Sequence, residues 1–255
     1  MSDTMSKPLE GKVAVITGAS RGLGKAMALA LAGAGAKLAL VARDRAKLEE
    51  TASEAAALGA ESAIFIADVT DEAQVATMAQ LIATQFGRVD ILINNAGTNI
   101  RKPLVDYSFE EWRKVTDTNL TSVFLMCRAM IPSMTGRGYG LILNLTSIMS
   151  HVSLPGRTAY SASKAALLGL TRALAQELAP EGITVVGISP GPFATEMNTV
   201  LMQNPEVNQQ FMSNTPLGRW GKVEEIGNLA LFLCGEGGAF ITGTDILIDG
   251  GWTAR

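Results

Sequence analysis

A tyrosine and a lysine, Tyr160 and Lys164, stand four residues apart in a segment whose apolar spacing predicts a helix over Thr158–Leu178. Residues at positions i and i+4 share one helix face, so the phenol and the ammonium can lie side by side. A nearby cation favours phenolate and lowers a tyrosine pKa, which makes Tyr160 a candidate general acid or base. The alternative is an exposed surface pair.

A serine, Ser147, follows the apolar run Gly140–Leu145, which is typical of a strand buried on both faces. Open α/β sheets bind ligands at the C-terminal ends of their strands. The Ser147 hydroxyl is therefore a candidate to bind a substrate oxygen together with the Tyr160 phenol.

A glycine-rich turn joins the first predicted strand to the first predicted helix. Its glycines, Gly18, Gly22 and Gly24, have the spacing Gly-x3-Gly-x-Gly. Glycine permits a tight turn and a close approach of a pyrophosphate, and the helix N-terminus offers oriented N–H groups. The turn indicates a dinucleotide site, and a tight connection without a ligand is the alternative.

Short apolar runs alternate with segments of helical period along the chain, without a linker, a charge block or an internal repeat. This order predicts one α/β domain with a doubly wound parallel sheet of seven strands and helices on both faces. The predicted strands are 13–17, 37–42, 63–67, 91–94, 140–145, 183–189 and 245–248. The predicted helices are 22–34, 45–58, 71–86 with Thr70 as N-cap, one that opens at the capping-box sequence Ser108–Glu111, 158–178 and 223–234. Residues 1–10 are expected to be a disordered tail, and residues 11–255 the domain.

The composition excludes several classes of function. A net charge of −3, from 21 Lys plus Arg against 24 Asp plus Glu, gives no basic face for nucleic acid. One histidine and two cysteines cannot form a zinc site, so no metal is expected. The low cysteine content also excludes a disulfide framework and indicates a reducing, cytoplasmic compartment. The sequence contains neither a signal peptide nor an apolar run long enough to span a membrane, so no membrane association is expected.

The motifs, taken in order and at their spacing, resemble those of the short-chain dehydrogenase/reductase family from Leu9 to Trp252. The resemblance implies a single Rossmann-type domain and an enzyme that interconverts a carbonyl and a secondary alcohol by hydride transfer with a nicotinamide cofactor. It further implies a small-molecule substrate and a homotetramer. The motifs are the glycine turn, Asp68, Asn94-Asn95-Ala96-Gly97, Asn119, Ser147, Tyr160-x3-Lys164 and Pro190-Gly191-Pro192.

The family pattern implies a role for each site residue. Ser147 and Tyr160 hold the carbonyl oxygen, and Tyr160 exchanges the proton. Lys164 binds the nicotinamide ribose and lowers the Tyr160 pKa, while Asn119 holds a water that links Lys164 to solvent. Asp68 accepts from the adenine amino group. The cofactor site consists of Gly18, Ser20, Arg21, Gly22, Leu23, Gly24, Arg43, Asp68, Val69, Asn95, Ala96, Gly97, Tyr160, Lys164, Pro190, Gly191, Phe193 and Thr195, and family members often carry Val or Ile where Phe193 stands.

The charges beside the second strand favour NADP(H) over NAD(H). An NAD site usually ends that strand with an acidic residue, whereas Ala42 stands here. Arg43 follows, and Arg21 lies in the glycine turn, so two guanidinium groups can converge on a 2′-phosphate. Asp44 adds a carboxylate next to Arg43, and a solvated Arg43 is the alternative.

The substrate remains open between two classes. The segments Pro216–Gly221 and Arg101-Lys102 look closest to gluconate 5-dehydrogenase-like members, which act on sugar acids. The 3-oxoacyl carrier-protein reductases share every core motif and are the alternative. A nucleotide-bound regulatory protein on the same fold is the alternative that is not an enzyme, although such a protein normally lacks part of the tetrad.

Several residues near the expected substrate pocket allow two interpretations. Residues 192–222 are predicted to form a substrate lid, or alternatively a short helical hairpin packed on the core. Arg101 and Arg157 can meet an anionic substrate or be solvated. His151 is either part of the pocket wall or an ordinary loop residue.

Overall fold

The structure is a computed structural model, and it describes residues 7–254. At its centre lies a seven-stranded parallel sheet with the strand order β3-β2-β1-β4-β5-β6-β7. The predicted doubly wound, Rossmann-type sheet is confirmed; only β3 and β6 differ from the predicted bounds, each by one residue. The strands are β1 Val13–Thr17, β2 Lys37–Ala42, β3 Ser62–Ile66, β4 Ile91–Asn94, β5 Gly140–Leu145, β6 Ile183–Pro190 and β7 Asp245–Ile248.

Helices cover both faces of the sheet, and the five for which both ends were predicted agree with the prediction to within one residue. No helix in the described part of the chain is long and apolar enough to cross a membrane. The α-helices are α1 Gly22–Gly33, α2 Arg45–Ala57, α3 Glu72–Phe86, α4 Phe109–Thr116, α5 Ser122–Met130, α6 Thr158–Leu178, α7 Thr199–Gln203, α8 Pro205–Asn214 and α9 Val223–Cys234.

Alternate residues of the central strands belong to two different hydrophobic cores. In β1, Ala14 and Ile16 pack in the core that contains Met27 of α1, whereas Val15 packs in the core that contains Ile82 of α3. The first core also takes side chains from α2 and α9, and the second from α5 and α6. Because successive strand residues point to opposite faces, a strand covered by helices on both sides has a continuous run of apolar residues in its sequence.

Side chains of the first turn fix where two helices begin. The Ser108 hydroxyl accepts from the backbone N–H of Glu111 at 3.2 Å, and the Glu111 carboxylate accepts from the backbone N–H of Ser108 at 2.9 Å, which confirms the capping box. The predicted N-cap of α3 was wrong. Asp71 caps this helix by accepting from two backbone N–H groups, because the Thr70 hydroxyl donates to Asp68 instead.

The packed structure begins earlier than the boundary predicted at residue 11. Leu9 is buried in the first core, and its backbone N–H donates to the Ala34 carbonyl at 2.9 Å. Leu9 is therefore part of the domain and not of a disordered tail. Residues 1–6 of the predicted tail lie outside the described residues.

The helix after β4 changes its winding in the middle. After α4 the chain forms a π-helical turn over Asp117–Thr121 and then continues as α5. The sequence predicted where this helix opens but not the π-turn. Such turns are rare and often occur at functional sites. Asn119, one of the predicted site residues, lies in this turn and is fully buried.

The predicted lid segment, residues 192–222, contains the two short helices α7 and α8. An aromatic cluster anchors α8: the Phe211 ring stacks on Trp220 with ring centroids 5.2 Å apart and lies 5.2 Å from the Trp252 ring. The segment is thus a helical hairpin, and its movement as a lid stays a prediction.

Candidate active site

A single cleft of about 1010 Å³ brings together nearly all of the predicted site residues at the C-terminal ends of the strands. Ser147, Tyr160 and Lys164 line it together with the glycine turn, Asp68 and the segment that follows β6. Two predicted residues, Gly24 and Asn119, do not line the cleft. This placement is the one expected for a ligand site of an open α/β sheet.

The three glycines of the first turn are needed for different reasons. Gly18 and Gly22 have φ angles of +64° and +56°, a region that favours glycine. A Cβ on Gly24 would lie 2.3 Å from the Gly18 carbonyl oxygen, so a side chain there would separate α1 from the turn. At Gly22 a Cβ would meet nothing closer than Thr195 at 3.8 Å, so its backbone is open to the cleft.

Asn95 holds the glycine turn from the neighbouring strand. Its side-chain amide donates to the Thr17 carbonyl at 2.9 Å and to the Gly18 carbonyl at 3.2 Å. The Thr17 hydroxyl in turn accepts from the backbone N–H groups of Asn95 and Ala96. The motif after β4 therefore fixes the shape of the turn that faces the cleft.

Lys164 is buried behind Tyr160 on the same face of α6, as the spacing predicted. Its Nζ lies 5.9 Å from the Tyr160 ring centroid and donates to the backbone carbonyl of Leu145 at the end of β5. Burial lowers the pKa of Lys164 to about 8. The ammonium is thus held in place by the strand that leads to Ser147.

The Tyr160 phenol sits among groups that act on its pKa in opposite directions. Burial is the largest effect and raises the pKa of Tyr160 above its ordinary value, although the hydrogen bond with Ser147 and the positive charges of Arg157 and Arg101 lower it in part. We expected Lys164 to lower it. The prediction of a Tyr160 pKa lowered by Lys164 was wrong: burial outweighs the nearby charges, and the charges that lower this pKa in part belong to the two arginines. The Lys164 ammonium donates to the Leu145 carbonyl.

Asn119 uses its side chain to join two parts of the site. Its Oδ1 accepts from the Thr98 backbone N–H at 2.8 Å, while its Nδ2 donates to the Thr98 carbonyl at 2.9 Å and to Ser163 Oγ at 3.0 Å. The amide therefore fixes the loop after β4 against α6, one residue before Lys164. The role of Asn119 in holding a water stays a prediction.

Arg21 and Arg43 do not converge on one point, which corrects the predicted arrangement. Arg43 Nη1 lies 3.4 Å from Asp68 Oδ2, whereas Arg21 Nη1 lies 3.1 Å from Glu196 Oε2. Lys47 Nζ lies 3.3 Å from the same Glu196 oxygen. The carboxylate partners of Arg21 and Arg43 lie 175 and 25 residues away in the sequence, so local spacing does not predict them. Sequence analysis missed Lys47, and its spacing gave no signal, because Arg43 lies before the N-cap of α2.

Two arginines line the cleft beside Tyr160, and neither forms an ion pair with a carboxylate of the described residues. Arg101 donates to Asn198 Oδ1 at 3.4 Å. Burial lowers the pKa of both guanidinium groups, and the charge of Arg101 lowers that of Arg157 further. His151 does not line the cleft and is not part of the pocket wall; its Nε2 lies 2.7 Å from Asp245 Oδ2.

The comparisons with known proteins agree with this geometry. A family model described as enoyl-(acyl carrier protein) reductase matches residues 18–253. Gluconate 5-dehydrogenase of Gluconobacter oxydans (strain 621H) is 39% identical over 96% of this chain and 96% of its own. The chain belongs to the short-chain dehydrogenase/reductase family. This dehydrogenase/reductase is therefore an enzyme of the oxidoreductase class that acts on CH–OH groups.

Further relatives of this dehydrogenase/reductase are named for activity on two different classes of substrate, 3-oxoacyl thioesters and gluconate. The 3-oxoacyl-[acyl-carrier-protein] reductase of Staphylococcus aureus (strain N315) is 38% identical over 94% of this chain and 97% of its own. A solved gluconate 5-dehydrogenase from Burkholderia cenocepacia J2315, in complex with NADP and tartrate, has a TM-score of 0.93 and 34% identity and covers 98% of both chains. These relatives carry enzyme names, so they do not support the regulatory alternative.

Replacing Lys164 with methionine should stabilise this dehydrogenase/reductase at about pH 7. The pKa falls from 10.5 to about 8 on folding, so below about pH 8 the fold carries a buried ammonium that methionine removes. We expect the free energy of unfolding to rise by roughly 1–3 kcal/mol in urea titrations.

The difference in unfolding free energy between the methionine variant and the parent should become smaller as the pH rises. Between the folded and unfolded pKa values of Lys164 the unfolded parent binds more protons than the folded one, so the parent itself becomes more stable with increasing pH. A methionine variant with the same unfolding free energy as the parent at about pH 7 would show that burial of the ammonium costs nothing.

Proposed function

We propose that the chain is an NADP(H)-dependent dehydrogenase/reductase that interconverts a carbonyl and a secondary alcohol on a sugar acid or a similar small keto acid. The observation that carries the substrate class is the pair Arg101 and Arg157, which lines the cleft beside Tyr160 without a carboxylate partner among the described residues. Two partly buried cations without a counterion form a site for an anion, because a buried charge needs a partner.

The residues of the cleft fit a dinucleotide cofactor. The backbone at Gly22 is open at the N-terminus of α1, where phosphate groups bind well. Three cations, Arg21, Arg43 and Lys47, line the cleft; Arg21 and Lys47 lie at the same Glu196 oxygen, and these two suit the additional phosphate of NADP. Asp44 also lines the cleft, and its carboxylate caps α2 by accepting from the Lys47 N–H at 3.2 Å. The solved relative from Burkholderia cenocepacia contains NADP.

In the proposed mechanism of carbonyl reduction, the side chains of Ser147 and Tyr160 hold the substrate oxygen, and Tyr160 transfers one proton. The nicotinamide, when bound, supplies the hydride that reduces the carbonyl carbon, or accepts it in the reverse reaction. Ser147 and Tyr160 bind the oxygen on which negative charge develops, and Tyr160 gives it a proton during reduction and takes the proton back during oxidation. Lys164, whose ammonium donates to the Leu145 carbonyl, lines the cleft beside Tyr160 and would hold the nicotinamide ribose of a bound cofactor.

The position of the two arginines and a ligand of a solved relative support the assignment of an anionic substrate. Arg101 and Arg157 lie close enough to Tyr160 to lower its pKa, so a bound carboxylate would place its hydroxyl or keto carbon near the phenol. Tartrate, a small hydroxy dicarboxylate, is present in the solved relative from Burkholderia cenocepacia.

A second candidate function is reduction of a 3-oxoacyl thioester. The cleft lining also contains Met149, Leu154, Phe211 and Trp252, which belong to one hydrophobic cluster, and this apolar surface suits an acyl chain. The 3-oxoacyl reductase of Staphylococcus aureus is 38% identical to the chain, and the gluconate 5-dehydrogenase of Gluconobacter oxydans is 39% identical, so sequence identity does not separate the two classes. The arginine pair favours the sugar acid.

A substrate panel tests the proposed function. We expect oxidation of gluconate and reduction of 5-ketogluconate, at least about tenfold more efficiently with NADP(H) than with NAD(H), and little reduction of acetoacetyl thioesters. Absorbance of the reduced cofactor measures each rate. Activity on the thioester alone would replace the sugar-acid assignment, and a preference for NADH would contradict the cofactor assignment.

We also propose a homotetramer located in the cytoplasm. The proposal of a tetramer follows the resemblance to the family, and exposed large apolar side chains of the described surface are candidates for its interfaces. Among them are Val105, Phe109, Phe124 and Phe240.

A further inference from the structure

The only histidine of the chain is paired with a buried carboxylate outside the cleft. His151 Nε2 lies 2.7 Å from Asp245 Oδ2, and the Asp245 side chain is 8% exposed. A carboxylate at this depth requires hydrogen-bond partners, since leaving it unpaired is costly. Neither residue lines the cleft, so the pair has no part in binding the substrate directly.

The second oxygen of Asp245 reaches the segment that carries the site serine. Thr146 Oγ1 donates to Asp245 Oδ1 at 2.5 Å, and Thr146 directly precedes Ser147. Ser189 Oγ lies 2.9 Å from Thr146 Oγ1 and donates to the Ser147 carbonyl at 2.9 Å. Because the Thr146 hydroxyl donates its one hydrogen to the carboxylate, the Ser189 hydroxyl is the donor both to Thr146 Oγ1 and to the Ser147 carbonyl, and it shares its hydrogen between them.

The sheet leaves space for the Asp245 carboxylate. Asp245 is the first residue of β7 and is the register partner of Gly187 in β6. A Cβ on Gly187 would lie 2.1 Å from Asp245 Oδ1, so any side chain there would displace the carboxylate. The position of the carboxylate is therefore determined by the packing of two strands and not by a flexible loop.

We propose that Asp245 and His151 are positioning residues for Ser147. One carboxylate holds Thr146, immediately before the serine, and His151, four residues after it, so the segment between them is fixed at both ends. The Ser147 hydroxyl, which accepts from the Met149 N–H at 3.1 Å and lines the cleft together with Tyr160, thereby keeps its place. The inference rests on the proposed role of Ser147, and it adds two residues that act through this serine.

The test compares two substitutions of His151. His151→Leu removes the donor to Asp245, whereas His151→Gln keeps an N–H group of similar reach. We expect His151→Leu to lower kcat roughly tenfold, with KM and the NADPH dissociation constant within about twofold of the parent, since misplacement of a reacting group affects turnover. His151→Gln should recover most of the turnover. Ser153→Ala is the matched control, because it removes a surface hydrogen bond to Ser161 from the same loop.

A second measurement needs no substrate. Ionisation of Tyr160 is followed by near-ultraviolet absorbance as the difference between each protein and its Tyr160→Phe counterpart. Because the hydrogen bond with Ser147 lowers the Tyr160 pKa, loosening the segment in His151→Leu should move this titration to higher pH. Asp245→Asn, which keeps the side-chain shape, should move it in the same direction.

The outcomes separate the inference from the proposed function. Turnover is measured with whichever carbonyl of the panel the parent reduces, so a parent inactive on sugar acids contradicts only the substrate assignment. If His151→Leu folds and matches the parent in both turnover and the Tyr160 titration, the pair does not position Ser147. Equal losses in His151→Gln and His151→Leu would overturn the role of the hydrogen bond.

Discussion

Tyr160→Phe lowers turnover by about 100-fold or more and leaves NADPH affinity within about twofold of the parent. The substitution deletes one oxygen, and that oxygen is the proposed proton donor and acceptor, which the structure places beside Ser147 in the cleft. The glycine turn and Lys164 keep their own contacts with the backbone. Steady-state kinetics and fluorescence titration with NADPH measure the two quantities.

The matched control for this change is Tyr139→Phe. It deletes the same atom from a tyrosine that donates to the Cys234 carbonyl at 2.9 Å and does not line the cleft. Turnover of the control should equal that of the parent at a temperature at which both are folded. A Tyr160→Phe variant that keeps most of its turnover is incompatible with proton transfer by this phenol.

Arg101→Gln combined with Arg157→Gln lowers kcat/KM for a sugar acid by roughly 100-fold or more. Charge-assisted hydrogen bonds contribute about 1.5–3 kcal/mol each, which corresponds to about 10–150-fold per arginine. Reduction of an uncharged ketone should change by less than about threefold, because it makes no contact with the missing charges. Specificity, expressed as the ratio of the two efficiencies, is the measured quantity.

The same double variant should also shift the pH profile of alcohol oxidation. Arg157 and Arg101 lower the Tyr160 pKa, so their removal raises it, and the phenolate that accepts the proton forms only at higher pH. The profile therefore moves upward. Lys102→Gln is the control, since Lys102 pairs with Glu111 and does not line the cleft. An equal loss for the charged and the uncharged substrate would show that the arginines do not bind an anion.

The sequence alone determined the fold of this protein, and nearly all of the site residues predicted from it line the cleft. Continuous apolar runs predict strands covered on both faces, and helical periods between them predict crossovers, so the order of elements leaves few topologies for the sheet. Parallel strands place their C-terminal ends at one edge, which is why motifs spread from Gly18 to Thr195 line one cleft. Spacing of four residues likewise placed Tyr160 and Lys164 on one face of α6.

The tertiary structure decided which charged groups meet. Arg21 pairs with Glu196, 175 residues away, and Asp245 pairs with His151, 94 residues away. Arg101 and Arg157, rather than Lys164, provide the charges that lower the Tyr160 pKa. The local pattern of residue types does not predict such pairs, because two side chains pair only when the folded chain brings them close together. The roles of the charged residues in this site therefore depend on the packing of strands and loops that are far apart in the sequence.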